Sequence, residues 1–137
     1  MRRFKKIALV AFAVSVSLSA VGLAFGASQH GISGVTYSGC SGNGPWFTST
    51  VQRVKEGTGP IKAQFNTIGS GGLTFRLLTA TGVQIGGQQA WTKTETGIWR
   101  TFTSSYGNGK SFYNSFRDTN YTCPSSQTYD FDGTETY

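Results

Sequence analysis

Aromatic and arginine side chains are the residues of this sequence best suited to bind a ligand. A planar ring stacks on a sugar ring or on a partner's side chain, and a guanidinium group hydrogen-bonds to hydroxyls and anions. In strands that alternate apolar and polar side chains, several of these residues would share one outer face. The predicted ligand-binding set has a centre made of Arg76, Trp99, Tyr113 and Arg117, with Trp91 and Tyr106 at its edges.

The centre of this set depends on the phase of the strand that begins at Ile98. If Ile98 and Phe102 point inward, Trp99 points outward and joins the other members. The same phasing of the strands turns Arg100 and Asn114 towards the core, where an unpaired charge is costly. A slip of one residue in the strand from Ile98 would instead bury Trp99 and expose Arg100. In the alternative interpretation, all three tryptophans are core residues or close the strand ends.

Residues suited to catalysis are sparse. His30 is the single histidine and lies close to the N-terminus, which removes Ser–His and Cys–His mechanisms and most metal sites. Glu56, Glu95 and Asp118 could supply a carboxylate pair for glycoside hydrolysis. Glu56 and Glu95, however, fall in predicted turns close to lysines, where solvated charges are expected. We therefore expect a non-enzymatic protein that uses no cofactor or metal.

Residues 1–27 have the pattern of a secretory signal peptide. A basic segment (Arg2, Arg3, Lys5 and Lys6) precedes an apolar run from Ile7 to Leu18, and small residues follow up to Ala27. The apolar run is short for a membrane span. The sequence predicts an exported protein that begins near Ser28 and has no integral membrane span, with an uncleaved N-terminal anchor as the alternative.

The two cysteines, Cys40 and Cys123, lie far apart in the sequence. An even pair in an exported chain predicts a disulfide. The alternative, a metal or redox pair, lacks a CxxC spacing and partner histidines.

The charge of the exported part is modest. Four of the twelve basic residues lie in residues 1–27, which leaves eight basic and six acidic residues. Three of those acids lie in the last eight residues, so the remaining body is basic. A basic body favours anionic partners such as cell-wall polymers or lipid headgroups. Nucleic acid is not expected, because there is neither a dense basic patch nor a recognisable module.

The chain after residue 45 has the composition and the regular turn spacing of an all-β domain. Candidate strands rich in Thr, Val, Ile and aromatic residues recur about every ten residues, separated by glycine-containing turns. We predict a single antiparallel β-sandwich with jelly-roll-like or meander connections, closed by the disulfide; a small barrel is the alternative. The expected divisions are a Gly/Ser-rich lead-in over residues 28–45, the sandwich over residues 46–131 and an acidic tail over residues 132–137.

The segment Tyr106-Gly107-Asn108-Gly109-Lys110 resembles the YGNG element of pediocin-like bacteriocins. The resemblance covers five residues, and Lys110 stands where that family has a valine followed closely by a cysteine. An Asn-Gly step is also a strong hairpin signal, because both central residues of a type I′ turn have positive φ. We interpret the segment as a hairpin turn and carry over no activity from that family.

The sequence favours a secreted, monomeric binding module for extracellular or cell-wall carbohydrate. The alternative is a secreted antibacterial protein that acts on the envelope of competing bacteria through arginine and aromatic contacts. A third hypothesis is a matrix component that self-associates through strand edges.

Overall fold

The computed structural model describes most of the chain after the predicted signal peptide. Cys40 and Cys123 lie outside the described residues, and so does the predicted signal peptide except for Ala27. The described residues are 27–37, 43–69, 71–119 and 128–137.

The described residues form β-strands and no helix, as the sequence predicted. Within those ranges, no helix has the length and apolar character needed to cross a membrane. The strands are β1 (Gln29–Tyr37), β2 (Phe47–Thr48), β3 (Arg53–Val54), β4 (Ile61–Ile68), β5 (Gly72–Leu78), β6 (Gln84–Thr92), β7 (Arg100–Thr103), β8 (Ser111–Asp118) and β9 (Thr128–Thr136).

The strands form two antiparallel sheets. Sheet A has the order β1-β9-β4-β7. Sheet B has the order β2-β8-β5-β6, and β3 also pairs with β8. Every strand pair in both sheets is antiparallel. The prediction of an all-β protein with antiparallel neighbours is therefore confirmed.

The core lies between the two sheets and is rich in aromatic rings. In β4, the alternation that the sequence predicted is observed, because Ile61, Ala63 and Phe65 are buried. Phe65 makes edge-to-face contacts with rings from both sheets, at centroid distances of 4.8 to 6.5 Å. Its neighbours in this cluster are Phe75, Trp91, Phe116 and Phe131.

The first and last strands differ from the sequence expectation. Residues 29–37, expected to be mainly an extended lead-in, form a full strand, and residues 132–136, expected to be an acidic tail, belong to β9. β9 lies between β1 and β4, so its backbone groups pair on both sides. Its inner positions include Gly133, where a Cβ would lie 2.2 Å from the Gln64 carbonyl oxygen. The full length of the strand was not predicted from the sequence because Asp130 and Asp132 occupy outward positions and Glu135, also charged, occupies an inward one.

The Asn108–Gly109 turn also has a different role from the one predicted. Gly109 has the positive φ that the motif requires, at 77°. However, β7 and β8 on either side of it belong to different sheets, so the segment is not a β-hairpin turn. The Gly109 N–H donates instead to the Lys55 carbonyl, at 2.8 Å, which ties the turn to the end of β3.

Glu135 is a fully buried acid at the inner face of β9. One of its oxygens lies 2.5 Å from Arg53 Nε, and the Asn114 amide donates to both oxygens at 3.0 Å. Arg53 also donates to the Tyr137 hydroxyl, at 3.1 Å. Burial raises the pKa of Glu135 to about 7, although Arg53 and Asn114 both act to lower it.

We expect Glu135 to make the stability of the fold decrease as the pH rises. A carboxyl group that titrates near 4.5 in the unfolded chain and near 7 in the folded one binds its proton more tightly when folded. Its stabilising contribution is complete below pH 4.5 and is lost as the pH rises through 7, amounting to about 3 kcal/mol. Denaturant unfolding from pH 4 to pH 8 measures it, with Glu135→Gln as the variant that lacks the titration. Parallel stability curves for the two proteins would contradict this assignment.

Candidate ligand-binding face

The outer face of sheet B brings together three of the six residues that the sequence selected. In the register of β5 and β8, Arg76 lies opposite Ser115, and Leu78 lies opposite Tyr113. Arg117 is on the same face, two residues beyond Ser115. These residues face outward because Phe75, Phe112 and Phe116 occupy the alternate, buried positions.

Trp46 is the fourth member of this surface and was not in the predicted set. It directly precedes β2, and the pairing of Phe47 with Phe116 places it beside Arg117. The guanidinium carbon of Arg117 lies 4.6 Å from the centroid of the Trp46 ring, and that of Arg76 lies 3.8 Å from it. We call Trp46, Arg76, Tyr113 and Arg117 the Trp46 face.

A signal for Trp46 was present in the sequence. The candidate strand that begins at Trp46 places Trp46 and Thr48 on the same side, two residues apart. What the sequence did not indicate is that this strand would pair with the strand from Ser111. Only that pairing brings the ring next to Arg117.

Ser115 lies beneath the charged groups and is fully buried. Its hydroxyl oxygen accepts a hydrogen bond from Thr48 Oγ1, at 3.1 Å, and one from Arg76 Nε, at 3.5 Å. The Arg76 side chain is therefore held by a ring on one strand and by a hydroxyl on another. Two fixed contacts reduce the rotamer freedom that this arginine would lose on binding a ligand.

The two arginines repel each other. Partial burial lowers the pKa of Arg76, and the positive charge of Arg117 lowers it further. Among the described residues, the Nε atom of Arg117 is buried and has no hydrogen-bond partner. The face thus holds two fixed positive groups close together.

A shallow depression of about 320 Å³ lies on the same side of sheet B. Thr48, Leu78 and Tyr113 line it, together with the turn that follows β5. Leu78 lies two residues from Arg76 along β5, or about 7 Å, whereas Tyr113 lies four residues from Arg117 along β8, or about 13 Å. The depression is therefore next to Arg76 and farther from Arg117.

Trp99, the expected centre of the surface, lies on the opposite side of the molecule. It precedes β7 in sheet A and is 39% exposed. With Lys62 and Thr136, it lines a separate depression of about 230 Å³. Trp99 is exposed, but the predicted phase is not observed, because Ile98, which it turned inward, is 45% exposed and both residues precede β7. β7 also belongs to the other sheet.

Trp91 and Tyr106 do not reach the Trp46 face. Trp91 is 1% exposed, and its indole N–H donates to the Ile98 carbonyl at 2.8 Å. Tyr106 is half-buried, and its hydroxyl donates to the Ser111 carbonyl at 2.6 Å. Both hydrogen bonds hold the rings in the packed part of the protein.

The different environments of the tryptophans are directly measurable. We expect Trp99→Phe to remove the largest share of the emission that acrylamide quenches, because Trp99 is 39% exposed and Trp91 is 1% exposed. Trp46→Phe should have a smaller effect, since its half-buried ring is flanked by guanidinium groups. Stern–Volmer plots of the parent and the two variants make the comparison. Unchanged quenching in Trp99→Phe would show that the exposed ring is a different one.

Comparison with known proteins gives this chain no relative. It matches no family model, no curated protein and no solved structure. The functional assignment therefore rests on the geometry of the described residues.

Proposed function

We propose that this protein is a secreted, non-enzymatic binding protein that takes extracellular or cell-wall carbohydrate on the Trp46 face. The observation that carries the proposal is the placement of two guanidinium groups within 4.6 Å of the centroid of one tryptophan ring, next to an open depression. Guanidinium groups held in this way can donate hydrogen bonds to sugar hydroxyls or anionic groups without first becoming ordered.

Tyr113 supplies the stacking surface in this proposal. Its side chain is half-buried and borders the depression, and Thr48 and Leu78 complete the lining. An aromatic ring beside an aliphatic side chain suits the apolar face of a pyranose. Trp46 orients the arginines rather than stacking on the sugar, because its ring already contacts both guanidinium groups.

We also propose that the two sheets form a β-sandwich with jelly-roll-like rather than meander connections. The chain passes repeatedly from one sheet to the other, and among the described strands only β5 and β6 are joined as a hairpin within one sheet. A meander would keep consecutive strands adjacent in one sheet.

A disulfide between Cys40 and Cys123 would close this sandwich. The described residues that flank the two cysteines are held side by side. Tyr37 pairs with Thr128, and the Gly44 N–H donates to the Asp118 carbonyl at 2.9 Å. Two segments that are held side by side at both of their ends are compatible with the Cα separation of about 5.5 Å that a disulfide requires. Export through the predicted signal peptide would supply the oxidising environment.

We expect non-reducing peptide mapping of the protein, recovered from an oxidising compartment, to yield one peptide pair joined through Cys40 and Cys123. Reduction before digestion should release the two peptides separately. Alkylation of both cysteines without prior reduction would contradict the proposed bond.

Substitution on the two faces should separate their roles in carbohydrate binding. We expect Tyr113→Ala to weaken binding about tenfold, which corresponds to about 1.4 kcal/mol and is typical of one lost aromatic contact. Trp46→Ala should also weaken binding, because both arginines lose the ring that orients them. Trp99→Ala is the matched control, because it removes an exposed tryptophan from the opposite sheet. Affinity electrophoresis and calorimetry against peptidoglycan and a panel of neutral and acidic polysaccharides give the measurement.

The control also defines the outcomes that would reject the proposal. If Trp99→Ala loses binding while the Trp46-face variants retain it, the site lies on sheet A. If the parent protein binds nothing in the panel, it is not a carbohydrate-binding protein of this kind. Thermal unfolding of every variant checks that the fold is retained.

A further inference from the structure

We infer that Arg76 and Arg117 form an anion-binding subsite on the Trp46 face, and that the carbohydrate recognised there is a polymer of uronic acids. The inference rests on the proposed function and specifies its substrate class. In this arrangement, the carboxylate of one sugar unit contacts the guanidinium groups, and the ring of a neighbouring unit lies in the depression beside Tyr113.

The acidic side chains of the protein form no ion pair with Arg76 or Arg117 among the described residues. All six acidic side chains of the protein fall within the described residues. Within those residues, no carboxylate lies within 4.0 Å of Arg76 or Arg117, since the ion pairs there join other partners. These pairs are His30–Glu56, Arg53–Glu135 and Arg100–Glu95. The protein therefore supplies no direct counter-charge to the two arginines of this face.

Two other arginines of the protein also lie over aromatic rings, and each of them contacts a carboxylate. Arg100 lies 5.5 Å from the Trp91 ring centroid and donates to Glu95 at 2.7 Å. Arg53 lies 5.9 Å from the Tyr137 ring centroid and contacts Glu135 at 2.5 Å. Each of these guanidinium groups has both an aromatic ring and a carboxylate.

Arg76 and Arg117 contact an aromatic ring, but neither forms an ion pair with a carboxylate among the described residues. The ring that they share is that of Trp46. Arg117 Nε is a buried donor without a partner in the described part of the chain. A bound carboxylate would relieve the repulsion and could accept hydrogen bonds from both groups.

Ring and charge together distinguish a uronate polymer from other anions. The depression begins about 7 Å along β5 from Arg76 and farther from Arg117, and Tyr113 and Leu78 give it an apolar lining. A polymer of uronic acids carries a carboxylate on every ring, so one unit can lie in the depression while the carboxylate of a neighbouring unit reaches the arginines. A polyol phosphate offers the charge without a ring to stack, and a neutral glycan offers the ring without the charge.

Polygalacturonate and its fully methyl-esterified form provide the test, because they share one sugar backbone and differ in charge. We expect the protein to bind polygalacturonate, or alginate as a second uronate polymer, at least tenfold more tightly than the ester. Arg76→Gln and Arg117→Gln should each lose most of that preference. Arg117→Lys should lose part of it, because it keeps the charge but lacks the planar fork of donors. Binding should weaken with added salt.

Lys62→Gln is the matched control, since it removes one positive charge from the outer face of sheet A. An equal loss of affinity in Lys62→Gln and the arginine variants would show a general charge effect and overturn the subsite. Equal binding of the ester and the free acid would overturn the inference while the proposed carbohydrate function stood. Dextran sulfate or polyphosphate bound as tightly as the uronate polymers would overturn the uronate assignment. Absence of binding to every polysaccharide would reject the proposed function itself.

Discussion

The packing of Phe65 against rings from both sheets is the interaction on which the rest of the structure depends. Phe65 contacts Phe131 within its own sheet and Phe75, Trp91 and Phe116 across the core. Because strand side chains alternate, fixing Phe75 and Phe116 inward also fixes which side chains of β5 and β8 point outward. The arginines of the Trp46 face are therefore positioned from the inside, by groups that no ligand would touch. A shift of one residue in the register of β5 or β8 would turn the arginines inward and the core phenylalanines outward.

Much of the local pattern could be predicted from the sequence. The inward positions of β4, β5 and the aromatic residues of β8 follow from simple alternation, and they are buried. The polar side chain that the same phasing turns inward in β8 is also observed, because Asn114 is buried and donates to Glu135. Arg100 does not enter the core, since its side chain is 30% exposed and pairs with Glu95. Alternation within one strand is a local property, and local properties are what a single sequence carries best.

The assembly of the candidate site required information that alternation does not contain. Trp99 is exposed, but it directly precedes β7 of sheet A, so it lies away from Arg76 in sheet B. Trp46 has an ordinary strand position and gains its significance only from the pairing of β2 with β8. Both outcomes depend on which strands become neighbours. That choice is made by packing between distant parts of the chain, and turn signals such as Asn108–Gly109 report only that the chain reverses.

The central position of β9 has a consequence for when the protein can fold. β1 finds its only described strand partner in β9, and β4 pairs with β9 along most of its length. Sheet A therefore cannot assemble until Thr128–Thr136 have been synthesised, however early β1 emerges. Closing such long-range pairs late makes folding a slow, whole-chain event. Loss of β9 would likewise remove the partner of β1 and most of the pairing of β4 in one step, so the first and last described strands should unfold together.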